Sequence, residues 1–537
     1  MEMTLRPTSL RFLAALAALS VCACASSTSN PSDTSSDDVS DTDTASPKDT
    51  SAVETSEEVE TSEDIDPSTD TQVALPEYFP GQDIAADESA TIEGLTKGVR
   101  IVIDARGIPH IYGENLHDIL FAQGYITARD RLFQMHTLRM AASGRLGELS
   151  GVGSVRGDVF LRTLGLRRVA EKMAERTKEL YPKSYAALES FAAGANAYIE
   201  KVNAGEVVKP LEVLVYGLTI APWTPADTMS IVRLQTWDLG FGGVFSEDEL
   251  MTRLLELKAV YDGTPLEGIQ DDVFTFTPPN TTPTITSTPT GPPKGVDFSQ
   301  ILASPFFDRF QPAFFENHRL HYEETLKLPH RAFRSIDFGS NNWVVSGKHT
   351  ASGKPMVAND THLALRNPAI FYQVHMTTTT AGGDVNLVGV NFAGAPGITL
   401  GSNGFAAWAA TVFYSDVTDM YVETLTEDKK SVIFKGEEVP IKSWKETFEY
   451  VLIGDTSCED AITGWLADQD PVVTKLSDTR CRLEVMIAEV PHHGPVVPWS
   501  HDVDKEGNPI LMTWRWVGFE PTDEYHAIFQ MNFVNGH

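Results

Sequence analysis

The stretch "FGSNNWVVSG", residues 338–347, holds the most suggestive chemistry in the chain. Ser340 sits between Gly339 and the polar pair Asn341 and Asn342, just ahead of the apolar run Trp343, Val344, Val345. Gly, Ser and Asn form turns, while Trp and Val suit a strand, so one reading is a turn that enters a buried strand. The other makes Ser340 a nucleophile masked by the peptide bond that precedes it. A second feature, adjacent His492 and His493 in "PHHGPVV", reads poorly as a metal site. Neighbouring positions point to opposite faces of a strand, and no third ligand stands at a useful spacing.

The elements that must position such residues divide the chain in two. "GVRIVIDARGIPHIYG" (98–113) predicts two strands around a Gly turn, and 116–151 predicts helix, with apolar residues three and four apart and Gly151 as a stop. Helices continue through 170–205. The stretch "FTPPNTTPTITSTPTGPPKG" (276–295) is rich in Pro and Thr and incompatible with regular structure. From Asn342 onward strand signals prevail, in "NWVVSG", "KPMVAND", "IFYQVHM", "NLVGVNF", "SVIFKG" and "RLEVMIAEV". No internal repeat is visible. The chain of 537 residues is 42% hydrophobic, enough for a large core.

A formal charge of −32 argues against nucleic acid, whose phosphates need clustered Lys and Arg. The charge is unevenly spread: residues 31–70 hold fourteen Asp and Glu against Lys48 alone, and so supply thirteen of the excess negatives. That acidic, Ser- and Thr-rich segment has no aromatic residue and reads as a disordered tether over 25–85. Ahead of it, Arg6 and Arg11 precede "FLAALAALSV", too short to span a bilayer but suited to a signal-peptide core over 1–24. "VCAC" resembles the lipobox of bacterial lipoproteins. That resemblance implies lipidation of Cys24 and an exported protein, anchored to the outer membrane by acyl chains; plain secretion is the alternative. In an exported chain, Cys458 and Cys481, 23 positions apart around a polar loop, suggest one local disulfide.

The ordered series GxPHI, ARDRLFQM and G-S-N-x-W, carried by "GIPHIYGENLHDILFAQGYITARDRLFQMHTLRMAASGRLGELSG" and by Gly339-Ser340-Asn341, resembles the penicillin acylase family of N-terminal nucleophile hydrolases. The likeness runs over roughly 95–537. It implies an α+β class with a four-layer αββα fold. It also implies self-cleavage between Gly339 and Ser340, giving an α chain over 86–290, a linker and spacer over 291–339, and a β chain over 340–537, the two chains remaining as a heterodimer. Cleavage would give Ser340 a free α-amine, which titrates at about 7.7–8.0 and is therefore an effective proton acceptor near neutrality. Nucleophile and base would then belong to one residue, and no Ser-His-Asp triad is needed. Gly339 offers no side chain to hinder attack by the hydroxyl on its carbonyl.

Further residues follow from that resemblance. It gives His362 a role supporting the serine and the oxyanion, where a backbone-satisfied His closing a strand is the alternative. It gives Val412 a backbone N–H in the oxyanion hole. Both choices match the acyl-homoserine lactone and cephalosporin acylase branch. Phe241 and Leu363 fall at acyl-pocket positions, though such residues are commonly core. Glu247, Asp416, Thr418 and Asp419 match a calcium site of hard oxygen donors linking the two chains, with Thr418 contributing its carbonyl; solvated loop acids are the alternative. No organic cofactor is implied. The family's second oxyanion donor, an Asn, lies further along than the 197 residues that follow Ser340, so the β chain is expected to be truncated. Two functions therefore stand: an exported acylase hydrolysing small linear amides (penicillins, cephalosporin side chains or acyl-homoserine lactones), or a non-catalytic tethered lipoprotein with a degenerate acylase fold.

Overall fold

A computed structural model of the protein describes residues 91–240, 253–258, 260, 305–310, 312–326, 339–411, 417–461, 466 and 469–535. The signal peptide with Cys24, the tether over 25–85, Phe241, Glu247, the Pro/Thr stretch 276–295, Val412 and Asp416 lie outside these residues. The class is α+β: helices dominate before Ser340 and strands after it.

The chain opens with strands β1 (Arg100–Ile103) and β2 (Pro109–Tyr112), which pair antiparallel around the expected turn. Helix α1 (Leu116–Ala142) follows, its first turn capped by Asn115, whose side chain accepts from the Asp118 amide at 2.9 Å. It ends at Ala142, short of Gly151, and a separate short helix fills Gly147–Ser150. Then come α2 (Val155–Leu164), α3 (Leu166–Leu180), α4 (Pro182–Ala204), which has Pro in its first turn, and α5 (Pro225–Gly240). Helices α1 and α4 meet backbone to backbone: a Cβ on Gly124 would lie 2.0 Å from the Phe191 carbonyl oxygen, and one on Gly194 1.8 Å from that of Phe121. Only Gly permits that approach.

Within the stretch assigned to the linker and spacer, helix α6 (Pro312–Leu326) forms. Phe310, Phe314 and Phe315 are buried there, with ring centroids 5.0 to 5.7 Å apart. The aromatic density of "FFDRFQPAFF" explains the difference from a spacer without structure, since such a segment has ample apolar area to bury.

After Ser340 the chain builds a six-stranded sheet ordered β1-β2-β5-β6-β7-β8, from β5 (Phe371–Thr377), β6 (Asn386–Phe392), β7 (Leu400–Ser402) and β8 (Ala407–Trp408). The β2–β5 pair is parallel and joins the two halves of the sequence; buried His110 and His375 face each other in its register, Nδ1 to Nδ1 at 3.1 Å. Strands β9 (Thr418–Thr424), β16 (Asp502–Val503) and β17 (Pro509–Trp516) form a second sheet. A further one is β12 (Lys442–Val451), β14 (Arg480–Val490) and β13 (Val472–Ser477), with β15 (Gly494–Pro495) on β14. Strands β10 (Ser431–Phe434) and β11 (Glu437–Pro440) make a hairpin, and α7 (Glu524–Met531) closes the described chain. Cys458 and Cys481 are joined as a disulfide, Cα to Cα 5.7 Å, tying the loop after β12 to β14. The largest core gathers Phe160 of α2 against Trp237, Trp499 and Trp514, at centroid distances of 5.5 to 5.6 Å. Among the described residues, no helix is long and apolar enough to cross a membrane.

Candidate active site

Ser340 is the second residue of strand β3 (Gly339–Val345), which pairs antiparallel with β4 (Met356–His362) in a two-stranded sheet. Gly339, Ser340, Asn341 and Asn342, expected as a turn, are themselves part of the strand, and the strand does not enter a core: Trp343 is 64% and Val344 72% exposed. The Ser340 hydroxyl donates to the Gly339 carbonyl oxygen at 2.5 Å. The hydroxyl therefore stands against the carbonyl group of the peptide bond it would have to attack.

Strand register brings the expected histidine to that bond. Gly339 is opposite His362, and a Cβ on Gly339 would lie 3.7 Å from His362 Nδ1. The other ring nitrogen, Nε2, is 3.0 Å from Asp360 Oδ2, so the carboxylate two residues upstream orients the imidazole. The His362 side chain is exposed.

Two residues that sequence reasoning passed over bind the site to the segment carrying Val412. Thr411 donates its hydroxyl to the Ser340 carbonyl at 3.0 Å. Asn359 Nδ2 donates to the carbonyls of Asn341 at 3.2 Å and Ala410 at 3.0 Å, while its Oδ1 accepts from the Ala410 amide at 3.1 Å. The residue next to Val412 is thus in contact with the backbone of Ser340. The available signal was the polar run "NDTH", which is unusual for a strand of apolar alternation.

The ARDRLFQM motif holds the next element in place. Helix α1 breaks at Arg131, whose φ is −137°, and the break aims three side chains at the start of β5. Arg131 and Gln134 both donate to the Ala369 carbonyl, at 3.2 and 3.0 Å, and the Tyr372 hydroxyl donates to Asp130 at 2.7 Å. Burial, with the Asp130 carboxylate beside it, drives the Tyr372 phenol well above its ordinary pKa and keeps it a donor. Leu363 follows His362 and packs against the main core.

Of the four expected calcium ligands, Thr418 and Asp419 head β9. The Asp419 side chain is on the exposed face, and the Thr418 hydroxyl is buried without a hydrogen-bond partner among the described residues. A carbonyl and a carboxylate on successive residues are hard donors of the kind Ca2+ takes, so this described half fits the ion. His492 and His493, set aside above as strand neighbours, are in fact turn residues between β14 and β15. They converge with Glu423 of β9. The difference in placement has a simple cause: turn geometry does not alternate, and the third group that could join them stands 69 positions upstream of His492, beyond any local spacing.

Known proteins resemble the chain over the same region. The penicillin amidase family profile matches residues 98–536. The acyl-homoserine lactone acylase QuiP of Pseudomonas aeruginosa is 30% identical over 363 residues, 66% of this chain and 38% of that protein. Penicillin acylase 2 proenzyme of Pseudomonas sp. strain SE83 is 28% identical over 362 residues, again 66% of this chain and 41% of its own length. A solved thermostable penicillin G acylase from Alcaligenes faecalis aligns with a TM-score of 0.30 at 20% identity, over 36% of this chain and 100% of that one. The chain spans about two fifths of the length of the curated relatives it matches. With the profile running from the first strand to the end of the described residues, the chain belongs to the penicillin amidase family.

Proposed function

We propose that the protein is an exported acylase that hydrolyses small linear amides with Ser340 as an N-terminal nucleophile released by self-cleavage. The observation that carries this reading is the Ser340 hydroxyl against the Gly339 carbonyl, with the His362 imidazole across the strand register. In the cut protein the Ser340 amine would take the hydroxyl proton as the oxygen attacks the substrate carbonyl. The same proton would then go to the leaving amine, and water would release the acyl group. His362, oriented by Asp360, would steady the serine, and the Val412 amide would receive the developing oxyanion. Phe241 and Leu363 would line the acyl pocket. The curated relatives named as acylases of homoserine lactones and penicillins support an amide of that size.

Glu247, Asp416, Thr418 and Asp419 would hold a calcium ion that braces the two chains and takes no part in the chemistry. Lipidation of Cys24 would tether the enzyme to the outer membrane; fatty-acid labelling that persists in Cys24→Ser would end that part of the reading. For the enzyme itself, the full-length protein should run as two chains, with the β chain beginning Ser-Asn-Asn-Trp-Val, and should release amine from a panel of N-acyl amides. A folded protein that stays in one piece would instead favour the non-catalytic tethered lipoprotein.

A further inference from the structure

Strand β9 has a polar cluster at the end away from Thr418 and Asp419. Glu423 is only 4% exposed there, facing Leu511 in the β9–β17 register and accepting from the Thr513 hydroxyl at 3.1 Å. The turn from β14 into β15 delivers His492 and His493 to it. The turn is closed by the His493 amide donating to the Val490 carbonyl at 3.2 Å. Gly494 follows with φ +99°, and a Cβ there would come 2.5 Å from the Trp514 carbonyl oxygen, so only Gly lets the turn lie this close to β17. Each ring is fixed by an aromatic face. His493 stacks on Tyr421 at 3.6 Å and His492 on Phe434 at 3.9 Å, between centroids.

One ligand atom from each of the three residues falls within 4.8 Å of the others. His493 Nδ1 is 2.5 Å from Glu423 Oε1, while His492 Nε2 is buried with no hydrogen-bond partner among the described residues. A buried imidazole nitrogen left unsatisfied costs free energy that a cation would recover. We propose that Glu423, His492 and His493 form a site for one zinc-class divalent cation, pinning β9 to the β14–β15 turn. Two imidazole nitrogens beside one carboxylate suit Zn2+ and Co2+, whereas Ca2+ takes oxygen donors alone. Bonds of 2.0–2.1 Å in tetrahedral geometry set ligand atoms about 3.3 Å apart. The Glu423–His493 pair must therefore open slightly and give up the proton it shares, while His492 needs only to close in. The Lys435 ammonium, 5.0 Å above the Phe434 ring on which His492 stacks, places a positive charge near the site. The site is built on other strands than the β3–β4 pair, and its presence does not depend on acylase activity.

Untagged, chelator-treated protein titrated with Zn2+, Co2+ and Ca2+ tests this by calorimetry and by the visible absorption of bound Co2+. One equivalent of Zn2+ should bind without competition from Ca2+. Glu423→Gln, His492→Ala and His493→Ala should each weaken it at least about tenfold and remove the Co2+ band. Where a ligand variant fails to fold, Thr513→Val, which removes the hydroxyl bond to Glu423 while keeping all three ligand residues, should weaken Zn2+ by a smaller factor. Ser340→Ala should leave the affinity unchanged, which separates this outcome from that of the acylase reading. Zn2+ binding equal in all variants would assign the ion to surface histidines and overturn the proposal, as would natively folded wild type that takes up none.

Discussion

The helical region and the β3–β4 pair are built on opposite terms. Around Phe160 and along the α1–α4 contact, side chains are sealed and two helices touch through paired glycines. The β3–β4 pair carries Ser340 and His362, yet Trp343, Val344 and Met356 are exposed on it. Two strands alone are marginal in water. The segment carrying Ser340 is therefore held by a few polar bonds, from Asn359 and Thr411, and the bulk of the stability resides elsewhere. Substitutions in the two regions should fail in different ways.

The sharpest break is Ser340→Ala. It should abolish chain cutting and all amide hydrolysis in the full-length protein, while changing stability by about 1 kcal/mol or less; a processed, active variant would refute the nucleophile. Next is Phe160→Ala, which should lower unfolding free energy by about 3–5 kcal/mol in a denaturant titration. Gly194→Ala should cost about 1–3 kcal/mol or more, because the new methyl meets the Phe121 carbonyl and a backbone cannot repack as a side chain does. Neither should move the cleavage site.

A pH effect of intermediate size belongs to the helical side. Burial, then the Arg139 and Arg145 charges, lowers the His136 pKa to about 4. The unfolded chain binds that proton near 6.5 and the folded state only near 4. The unfolded state is thus the better proton binder in between, so stability is full above 6.5 and falls as pH drops toward 4. His136→Gln should flatten that slope in thermal melts across the window. Smallest should be Trp343→Ala, within about ±0.5 kcal/mol, since so much of the ring is already in water. A loss comparable to that of Phe160→Ala would mean β3 is covered in solution.

Much of the fold was legible because local rules held. Pro182 starts α4, Asn115 caps α1, and β10 and β14 appear in "SVIFKG" and "RLEVMIAEV", where β-branched residues cluster. The end of α1 was misread because Gly151 looked like its stop, whereas Ser143 already ends it. The kink at Arg131 left no local mark, being set by contacts to Ala369 and Tyr372 more than two hundred residues away. Asn359 left only the polar run "NDTH" as a mark, because its partners Asn341 and Ala410 stand 18 and 51 positions away.

The sequence by itself determined the order of helices and strands, the suspicion attached to Ser340 and the family, because all three are written in neighbouring residues. Tertiary structure alone decided which distant groups meet: His362 opposite Gly339, Thr411 on Ser340, and Glu423 between two turn histidines. Side-chain spacing along a chain is set by covalent geometry, but convergence across sheets depends on register and turn conformation, which only the packed fold selects.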